Sequence, residues 1–338
     1  MDPDTLDWAA LDRLRETFLQ GKSAGAGAYW RSRSDLANYD VTFGERIGWK
    51  WDAVLRELRL RGWQPPQGPV LDFGCGSGVA GRRVIETFGT ERFTKLLVHD
   101  RSALAEEFAL SRAREEFPNL AAARLARAEL ATLESPGTLV VSHVLNELPD
   151  NQRRQLLGLA RRAQAVIWVE PGTHADSREL IAVREALREQ FVVVAPCTHC
   201  EACGLLAPGN ERHWCHNFAP PPPAIFADSG WTRIARRAGI DLRSLPYSFL
   251  VLERKPGSPD CPPLPPGISR MLGVPRLYKG YLKLYDCSST SVRELMLQKR
   301  DLPELFADLA EDSEAVPLFH WHTENARAHA GTRWPPSK

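Results

Sequence analysis

A glycine-rich loop directly after a short apolar segment limits the folds open to this 338-residue chain. The stretch PVLDFGCGSGVAG, from Pro69 to Gly81, begins as a β-strand, turns at a run of glycines and continues into a helical sequence. Glycines let the backbone turn sharply and approach a ligand closely. In open α/β sheets such a loop follows the first strand, where ligands bind. The loop therefore predicts an α/β domain with a ligand site at that edge of the sheet.

Further apolar segments repeat the strand pattern along the chain. The segments KLLVHD, TLVVSHVL, AVIWVEPG, FVVVAP and YSFLVLER have the composition of strands, and helical sequences rich in Ala, Arg, Glu and Leu separate the earlier ones. This alternation is typical of a parallel sheet with helices on both faces. We therefore expect a doubly wound, Rossmann-like α/β sheet with a helical N-terminal cap, a Cys-rich insertion and a small C-terminal β-module.

These patterns divide the chain into six segments. The predicted segments are a helical N-terminal region at 1–62, a Rossmann-like core at 63–195, a Cys-rich insertion at 196–225, the closing helix and strand of the core at 226–256, a basic β-module at 257–310 and a polar tail at 311–338. The chain lacks the run of about 18 apolar residues that a membrane-spanning helix needs, and its acidic N-terminus does not resemble a targeting peptide. We expect a cytoplasmic, monomeric protein without membrane contact.

Two cofactor motifs fit the glycine loop. The dinucleotide fingerprint G-x-G-x-x-G fits from Gly76, and D-x-G-x-G-x-G, the first motif of class I S-adenosylmethionine-dependent methyltransferases, fits from Asp72. A carboxylate at Asp72 would repel a pyrophosphate but would suit a ligand that carries an amino group and a sulfonium. Asp100, at the end of the second strand, is placed to bind ribose hydroxyls. The predicted S-adenosylmethionine-binding residues are Asp72, Gly74, Gly76, Gly78 and Asp100.

The fourth predicted strand ends in VSHVLNELPD, at the position that faces donor and acceptor in methyltransferases. It offers His143, Asn146 and Glu147 as candidate catalytic residues. The segment lacks the N-P-P-aromatic motif of amino-group methyltransferases and has no cysteine to act as a nucleophile. Donor binding is therefore better supported than methyl transfer, and a structural role for His143 at a strand end is an equally good interpretation.

The stretch APCTHCEACGLLAPGNERHWCHNF, from Ala195 to Phe218, holds four of the seven cysteines. In a reducing compartment this density favours a metal site over disulfides. A C-x2-C pair followed by a Cys/His pair has ordinary zinc spacing, so local spacing favours zinc on Cys200, Cys203, Cys215 and a histidine. The spacing differs from the C-x3-C-x2-C loop of radical S-adenosylmethionine enzymes.

As a set, DFGCGSG, HVLNELPD, VEPGT, Cys-x-His-x3-Cys, Trp-Cys-His and YSFLVLER resemble the methyltransferase-like proteins associated with small-ribosomal-subunit assembly, known from mitochondria and with bacterial relatives. The resemblance extends from about Pro69 to Arg300. It implies a class I methyltransferase fold, S-adenosylmethionine as a cofactor, and the small ribosomal subunit with its rRNA as partners. It also implies a 4Fe-4S cluster whose ligands are Cys197, Cys203, Cys215 and Cys287. Because Cys200 departs from the family pattern, zinc stays an alternative.

Between residues 270 and 300 the chain is basic, with seven arginines and lysines against two acidic residues. Three interleaved tyrosines, Tyr278, Tyr281 and Tyr285, could stack on bases while the cations meet phosphates. The predicted RNA-binding residues are Arg270, Arg276, Lys279, Lys283 and Arg293.

The function expected from these features is that of an S-adenosylmethionine-binding, iron–sulfur, methyltransferase-like protein that acts on small-subunit rRNA during ribosome assembly. Two alternatives stay open. One is a non-catalytic assembly factor with the same fold, and the other is a small-molecule methyltransferase with a structural zinc.

Overall fold

The computed structural model describes residues 3–19, 29–255, 264–311 and 315–335. The chain forms two compact units. Unit 1 comprises 1–56, 64–170 and 221–245, and unit 2 comprises 57–63, 171–220 and 246–338. The predicted boundary at 256/257 lies outside the described residues, and the six-segment division stays a prediction.

Helices and strands alternate over most of the described chain. The α-helices are α1 (Trp8–Leu19), α2 (Arg33–Tyr39), α3 (Glu45–Leu60), α4 (Val79–Phe88), α5 (Ala103–Glu116), α6 (Arg127–Thr132), α7 (Asp150–Ala160), α8 (His174–Leu187), α9 (Ser229–Ala238) and α10 (Pro303–Ala310). The strands are β1 (Gly68–Phe73), β2 (Phe93–His99), β3 (Ala122–Arg124), β4 (Thr138–Ser142), β5 (Ala165–Pro171), β6 (Phe191–Ala195), β7 (Asn217–Phe218), β8 (Pro246–Arg254), β9 (Ile268–Tyr278), β10 (Tyr281–Cys287), β11 (Val292–Gln298), β12 (Leu318–Glu324) and β13 (Arg327–Trp334).

Unit 1 is built on a parallel sheet with the strand order β3-β2-β1-β4-β5. Strand β1 pairs with β2 on one side and with β4 on the other. Successive strands are therefore added first on one side of β1 and then on its other side. Helix α4 packs on β1 and β4, while α5 packs on β2 and β3. This arrangement confirms the predicted Rossmann-like fold, and it places the ends of β1 and β4 at the switch point where ligands bind in such sheets.

The helices before β1 cover part of this unit, as the sequence predicts. Ser32 caps α2 by accepting a hydrogen bond from the Asp35 N–H. The apolar faces of these helices meet α5 in a cluster with Leu14, Leu36 and Phe108. The helical cap therefore packs on the same helix that follows the second strand of the sheet.

In unit 2, β8 pairs antiparallel with β6 and with β7. Strands β9 to β13 close into a barrel in the order β10-β11-β13-β12-β9. Along β10, buried and partly exposed side chains alternate, so Leu282 and Leu284 point into the barrel. Its core is completed by residues of the other strands, including Leu295, Leu297 and Phe319.

The segment predicted as a polar tail instead supplies two strands of this barrel, β12 and β13. Leu318 and Phe319 are fully buried, and Trp321 is 9% exposed. The interleaved histidines His320 and His322 give the stretch its polar composition, but the apolar residues between them are sufficient for a half-buried strand. The predicted β-module is thus larger than residues 257–310.

Candidate functional site

The glycine loop after β1 adopts the conformation that its sequence requires. Gly74, Gly76 and Gly78 have φ angles of 71°, 52° and 80°, in the left-handed region that favours glycine. The N–H groups of Gly74 and Cys75 both donate to the His99 carbonyl at 2.7 and 3.2 Å, which ties the loop to the end of β2. Gly78 then forms the N-cap of α4.

Asp72 lies beneath this loop and is 1% exposed. Its Oδ2 accepts a hydrogen bond from the Gly81 N–H at 3.0 Å, and a Cβ at position 81 would lie 2.8 Å from the same oxygen. Its buried Oδ1 has no hydrogen-bond partner among the residues that the structure describes. Burial raises the pKa of Asp72 to about 7, against the lowering effect of the Gly81 hydrogen bond. A buried carboxylate oxygen without a partner fits a site whose ligand supplies the missing donor.

Asp100 is fixed by the same loop. Its Oδ2 accepts from the Gly76 N–H at 3.0 Å and its Oδ1 from the Ser102 N–H at 2.9 Å. Burial raises the pKa of Asp100, and the two backbone donors oppose that shift. Each carboxylate oxygen can accept more than one hydrogen bond, so Asp100 retains capacity for ligand hydroxyls. Asp72, the loop and Asp100 therefore form one connected group.

His143 follows β4 in a left-handed conformation, with φ at 56°. The Lys50 Nζ lies 3.3 Å from its Nε2 and the Ser142 Oγ lies 3.2 Å from its Nδ1, while the Trp51 Nε1–H donates to the same hydroxyl at 3.0 Å. A lysine ammonium can only donate, so Nε2 accepts and the ring proton resides on Nδ1. Burial and then Lys50 hold the pKa of His143 well below its usual value. The ring is thus neutral, with both nitrogens engaged.

Glu147 and Asn146 lie in the short helical turn after His143. The Glu147 carboxylate accepts from Arg101 at 3.3 Å, and the Arg101 guanidinium stacks over the Tyr29 ring at 4.9 Å. Burial raises the pKa of Glu147 to about 7, with Arg101 opposing and Asp100 reinforcing the shift. Glu147 and Asp100 are therefore close enough for their charges to interact, whereas Asn146 is exposed. Catalytic roles for His143, Asn146 and Glu147 stay predictions.

Glu170, at the end of β5, organises this corner and was not among the predicted residues. It is fully buried, and its Oε1 accepts from the N–H groups of Val144 and Leu145, both at 3.2 Å, and from the Trp168 Nε1–H at 2.7 Å. It thereby fixes the turn that begins at His143. An acidic residue at the end of the apolar strand AVIWVEP is the sequence signal that could have identified it.

The structure brings together the four predicted metal ligands, all of them free thiols within unit 2. Cys203, Cys215 and Cys287 border one small apolar cluster. Burial and, after it, the neighbouring Cys197 raise the pKa of Cys203 to about 11 and that of Cys215 to about 12. Burial and then Cys197, Cys215 and Cys203 likewise raise the pKa of the Cys287 thiol. Cys200 is disulfide-bonded and is not part of this set.

Buried arginines hold the backbone around the first of these cysteines. Arg61 donates to the carbonyls of Val194, Pro196 and Cys197 at 2.7, 2.9 and 3.1 Å. Arg184 donates to the carbonyls of residues 201 and 199 at 2.7 and 3.3 Å, and its charge lies close enough to the Cys197 sulfur to interact with it. The loop at 196–201, which follows β6, is therefore fixed by side-chain donors where regular secondary structure is lacking.

Arg270 lies in the interior of unit 2 and not on the basic surface where the sequence placed it. It is 2% exposed, and its guanidinium makes two hydrogen bonds of 2.8 Å to the Glu57 carboxylate. It also donates to the Pro196 carbonyl at 3.0 Å and to the Asn217 Oδ1 at 3.1 and 3.0 Å. Glu57 in turn accepts from Arg61 at 2.7 and 3.0 Å. Because these partners occupy its guanidinium, Arg270 does not belong to an RNA-binding surface.

The four cysteines predicted to bind a metal do not form a ready-made metal site. Within 3–19, 29–255, 264–311 and 315–335, no group of three or more His, Cys, Asp or Glu side chains has an arrangement that could hold a metal ion. The chemistry of four converging thiols suits iron–sulfur clusters and zinc. The donor set therefore fits such a group in composition, and the metal stays a prediction.

The other four predicted RNA-binding residues lie on the surface of the barrel. Lys279 is exposed in the turn between β9 and β10. Arg276 and Lys283 both pair with Glu294, the latter at 2.7 Å. Arg293 is 43% exposed and pairs with Asp286 at 3.2 Å.

Comparison with known sequences identifies one family. The profile of the family described as mitochondrial small ribosomal subunit Rsm22 matches residues 50–313 of this chain. No curated protein sequence matches the chain. The family description names the mitochondrion, so the expected cytoplasmic location is not confirmed. None of the described helices is long and apolar enough to cross a membrane.

Solved structures of methyltransferases are similar in part. Magnesium protoporphyrin IX methyltransferase from Synechocystis PCC 6803, with bound SAM, is 15% identical at a TM-score of 0.40, covering 75% of this chain and 95% of that enzyme. The N-methyltransferase NodS from Bradyrhizobium japonicum WM9 is 15% identical at a TM-score of 0.37, covering 60% and 85%. A putative RNA methyltransferase from Pyrococcus horikoshii is 11% identical at a TM-score of 0.38, covering 72% and 99%. At TM-scores this low, no property of these enzymes is transferred to the chain.

Proposed function

The chain belongs to the family described as mitochondrial small ribosomal subunit Rsm22, whose profile matches most of its length, and from that premise we propose that it binds S-adenosylmethionine and acts on small-subunit rRNA during ribosome assembly. Membership in the family supports the ribosomal part of the proposal. The donor-binding part has to come from the site itself.

The buried Asp72 oxygen, which has no hydrogen-bond partner in the described part of the chain, carries the proposal of donor binding. It lies under a loop of three left-handed glycines that is tied by hydrogen bonds to Asp100 and to the end of β2. S-adenosylmethionine bound here would supply an electrophilic methyl group. Asp72 would favour the cationic amino-acid end of the donor, Asp100 would accept from its ribose hydroxyls, and the glycine backbone would permit close approach.

Methyl transfer needs the acceptor to be positioned beside the donor, which is the role proposed for the turn from His143 to Glu147. Glu170 holds that turn, so the acceptor would meet a rigid surface. Proximity and orientation would supply much of the rate enhancement. A carboxyl with a pKa of about 7, as at Glu147, is suited to accept or release a proton near neutral pH.

A non-catalytic assembly factor is the second candidate. One observation favours it: both ring nitrogens of His143 are engaged by Lys50 and Ser142, so this histidine is not available as a base in the arrangement described. The two candidates share donor binding and differ in turnover.

Isothermal titration calorimetry with S-adenosylmethionine tests the shared part. Asp100→Ala and Asp72→Asn should each weaken binding at least tenfold, since each removes a carboxylate from the site, and Asp150→Asn, an exposed substitution on α7, should leave it unchanged. Absence of binding by the wild type would overturn the proposal. A second assay incubates the protein with assembling small subunits and radiolabelled methyl donor. It separates the two candidates, because a methyltransferase labels rRNA and a non-catalytic assembly factor does not.

We also propose that Cys197, Cys203, Cys215 and Cys287 hold a 4Fe-4S cluster, with zinc as the alternative. The first support is the convergence of four free thiols. The second is the buried positive charge beside them: Arg61 and Arg270 share the single carboxylate of Glu57, so one positive charge is left to balance thiolates. The bound metal would join β10 to the loop after β6.

Protein purified without oxygen tests this metal proposal. A cluster predicts iron and sulfide in the preparation and absorption near roughly 400 nm. Cys287→Ser should remove both, whereas Cys75→Ser, which alters a buried free thiol of unit 1, should not. A colourless protein with stoichiometric zinc would favour the alternative, and a metal-free protein would exclude both.

A further inference from the structure

The barrel of unit 2 has the connectivity of an oligonucleotide-binding fold. Strands β9, β10 and β11 form an antiparallel meander, α10 lies between β11 and β12 in the chain, and β12 and β13 form a hairpin. Closure pairs β11 parallel with β13 and β12 antiparallel with β9. This is the order of the OB-fold, which binds nucleic acid on the outer face of its second and third strands and on adjacent loops. The corresponding strands here are β10 and β11.

The outer face of β9 and β10 carries a pair of stacked tyrosines at the hairpin that joins the two strands. Tyr278, at the end of β9, pairs in register with Tyr281 at the start of β10, and their rings are 4.7 Å apart and inclined by only 8°. Tyr278 is 44% exposed, and Val274, on the same strand, is 57% exposed. An exposed cluster of large apolar side chains at one end of a strand is typical of a binding site. Tyr285 lies on the outer face of β10, four residues after Tyr281. The Arg276 guanidinium covers one side of the Tyr285 ring, 5.0 Å from its centroid.

Cations surround these rings, and a single carboxylate restrains two of them. Lys283 lies beside Arg276 in the β9–β10 register, and Glu294 on β11 pairs with both. The side chains of these three residues are between 33% and 45% exposed, so solvent and ligands reach them. Lys279 lies in the turn between the two tyrosines, and its side chain is exposed.

We propose that the outer face of β9, β10 and β11 binds an unpaired segment of RNA, with bases stacked on the Tyr278–Tyr281 pair and phosphates on Arg276, Lys279 and Lys283. The proposal rests on the ribosomal function proposed above and narrows its substrate to single-stranded RNA. Base stacking needs free base faces, which a duplex hides, so this surface selects single strands. Glu294 pairs with Arg276 and Lys283 in the free protein and competes with RNA phosphates for them. This competition limits the affinity for RNA and favours its release.

Fluorescence anisotropy on the full-length protein tests the proposal, with a labelled oligouridylate of about 12 nucleotides and a duplex of equal length as probes. The single strand should bind at least tenfold more tightly than the duplex. Tyr278→Ala and Tyr281→Ala should each weaken single-strand binding about tenfold, whereas Tyr281→Phe, which keeps the ring, should bind as the wild type does. Circular dichroism checks that each variant is folded.

Glu294→Gln provides a test of opposite sign. Freeing two cations should tighten single-strand binding several-fold and steepen its salt dependence, because more counterions are then displaced by phosphates. Glu304→Gln, which removes an exposed charge from α10 in the same barrel, should have a much smaller effect.

The outcomes separate this proposal from the broader one. The duplex could bind as tightly as the single strand, or the tyrosine-to-alanine variants could bind normally while Lys279→Glu reduces binding. Either result would mean that the protein binds RNA but not by base stacking on this face, and it would overturn the present inference. Binding of neither probe, together with absence of the protein from assembling small subunits, would overturn the ribosomal function itself.

Discussion

Glu57 is the carboxylate on which the interior of unit 2 depends, and replacing it with glutamine should cost about 4 kcal/mol of stability. It accepts four hydrogen bonds of 2.7 to 3.0 Å from Arg61 and Arg270, and all three side chains are 2–3% exposed. Removing one partner of a buried ion pair typically costs about 3–5 kcal/mol, because the remaining charge is left without compensation. Here two guanidinium groups would be left against a neutral amide.

Urea denaturation followed by far-ultraviolet circular dichroism measures this loss as a shift of the transition midpoint. Glu45→Gln is the matched control, since it makes the same change on the same helix. Its partner Arg83 lies at 2.8 Å, but these side chains are 36% and 24% exposed, so the expected cost is below about 1 kcal/mol. Equal losses of stability in the two variants would refute the reasoning.

The pH dependence of the difference gives an independent check. Burial raises the pKa of Glu57, but the attraction of Arg270 and Arg61 outweighs it and leaves that pKa below the ordinary glutamate value. The stabilisation is therefore complete above the pKa of the unfolded chain and is lost as pH falls through the lowered folded-state pKa. The gap between wild type and Glu57→Gln should accordingly be constant near neutral pH and shrink in acid.

Three substitutions test the donor site and its surroundings, with Gly62→Ala as a steric control. Since the pKa of Asp72 is about 7, S-adenosylmethionine affinity should rise up to tenfold between about pH 6 and about pH 8, and calorimetry should find less of this rise in Asp72→Asn. Gly78→Ala should cost about 3 kcal/mol in urea denaturation, because φ is +80° and the new Cβ would lie 2.8 Å from that of Ala109. Gly62→Ala, with φ at +71° but no atom of the described residues within 4 Å of the new Cβ, should cost only about 1 kcal/mol, and equal costs would contradict the steric argument. Glu170→Gln should lower stability by about 2 kcal/mol, and it should weaken donor binding if the turn after β4 borders the donor.

The sheet of unit 1 was predictable because its strands are short apolar runs that alternate with amphipathic helices. The glycine loop was predictable for a related reason, since the three left-handed positions are all occupied by glycine. Strands β12 and β13 were not anticipated, because their histidines and charges mask the apolar residues that point inwards. A half-buried strand needs apolar residues only at every second position, and composition averaged over the whole segment hides this alternation.

Arg270 shows where counting charges along a sequence gives the wrong location. It belongs to a basic stretch, yet its carboxylate partner lies 213 residues earlier in the chain. Local charge patterns carry no information on such long-range pairs, so burial could not be inferred. The approach of Cys287 to the other thiols, which lie 72 to 90 residues earlier, is also long-range, and only the family resemblance anticipated it.

The long separation between Glu57 and Arg270 also sets an order of events on the ribosome that makes this protein. Chains grow at about 5–20 residues per second, so some 213 residues of synthesis correspond to roughly 10–40 s. During that time α3 has emerged but its carboxylate lacks one of its two guanidinium partners. The interior of unit 2 is therefore completed only after β9 has been synthesised, and nascent chains that end before this strand should remain accessible to proteases and chaperones around residues 57–63.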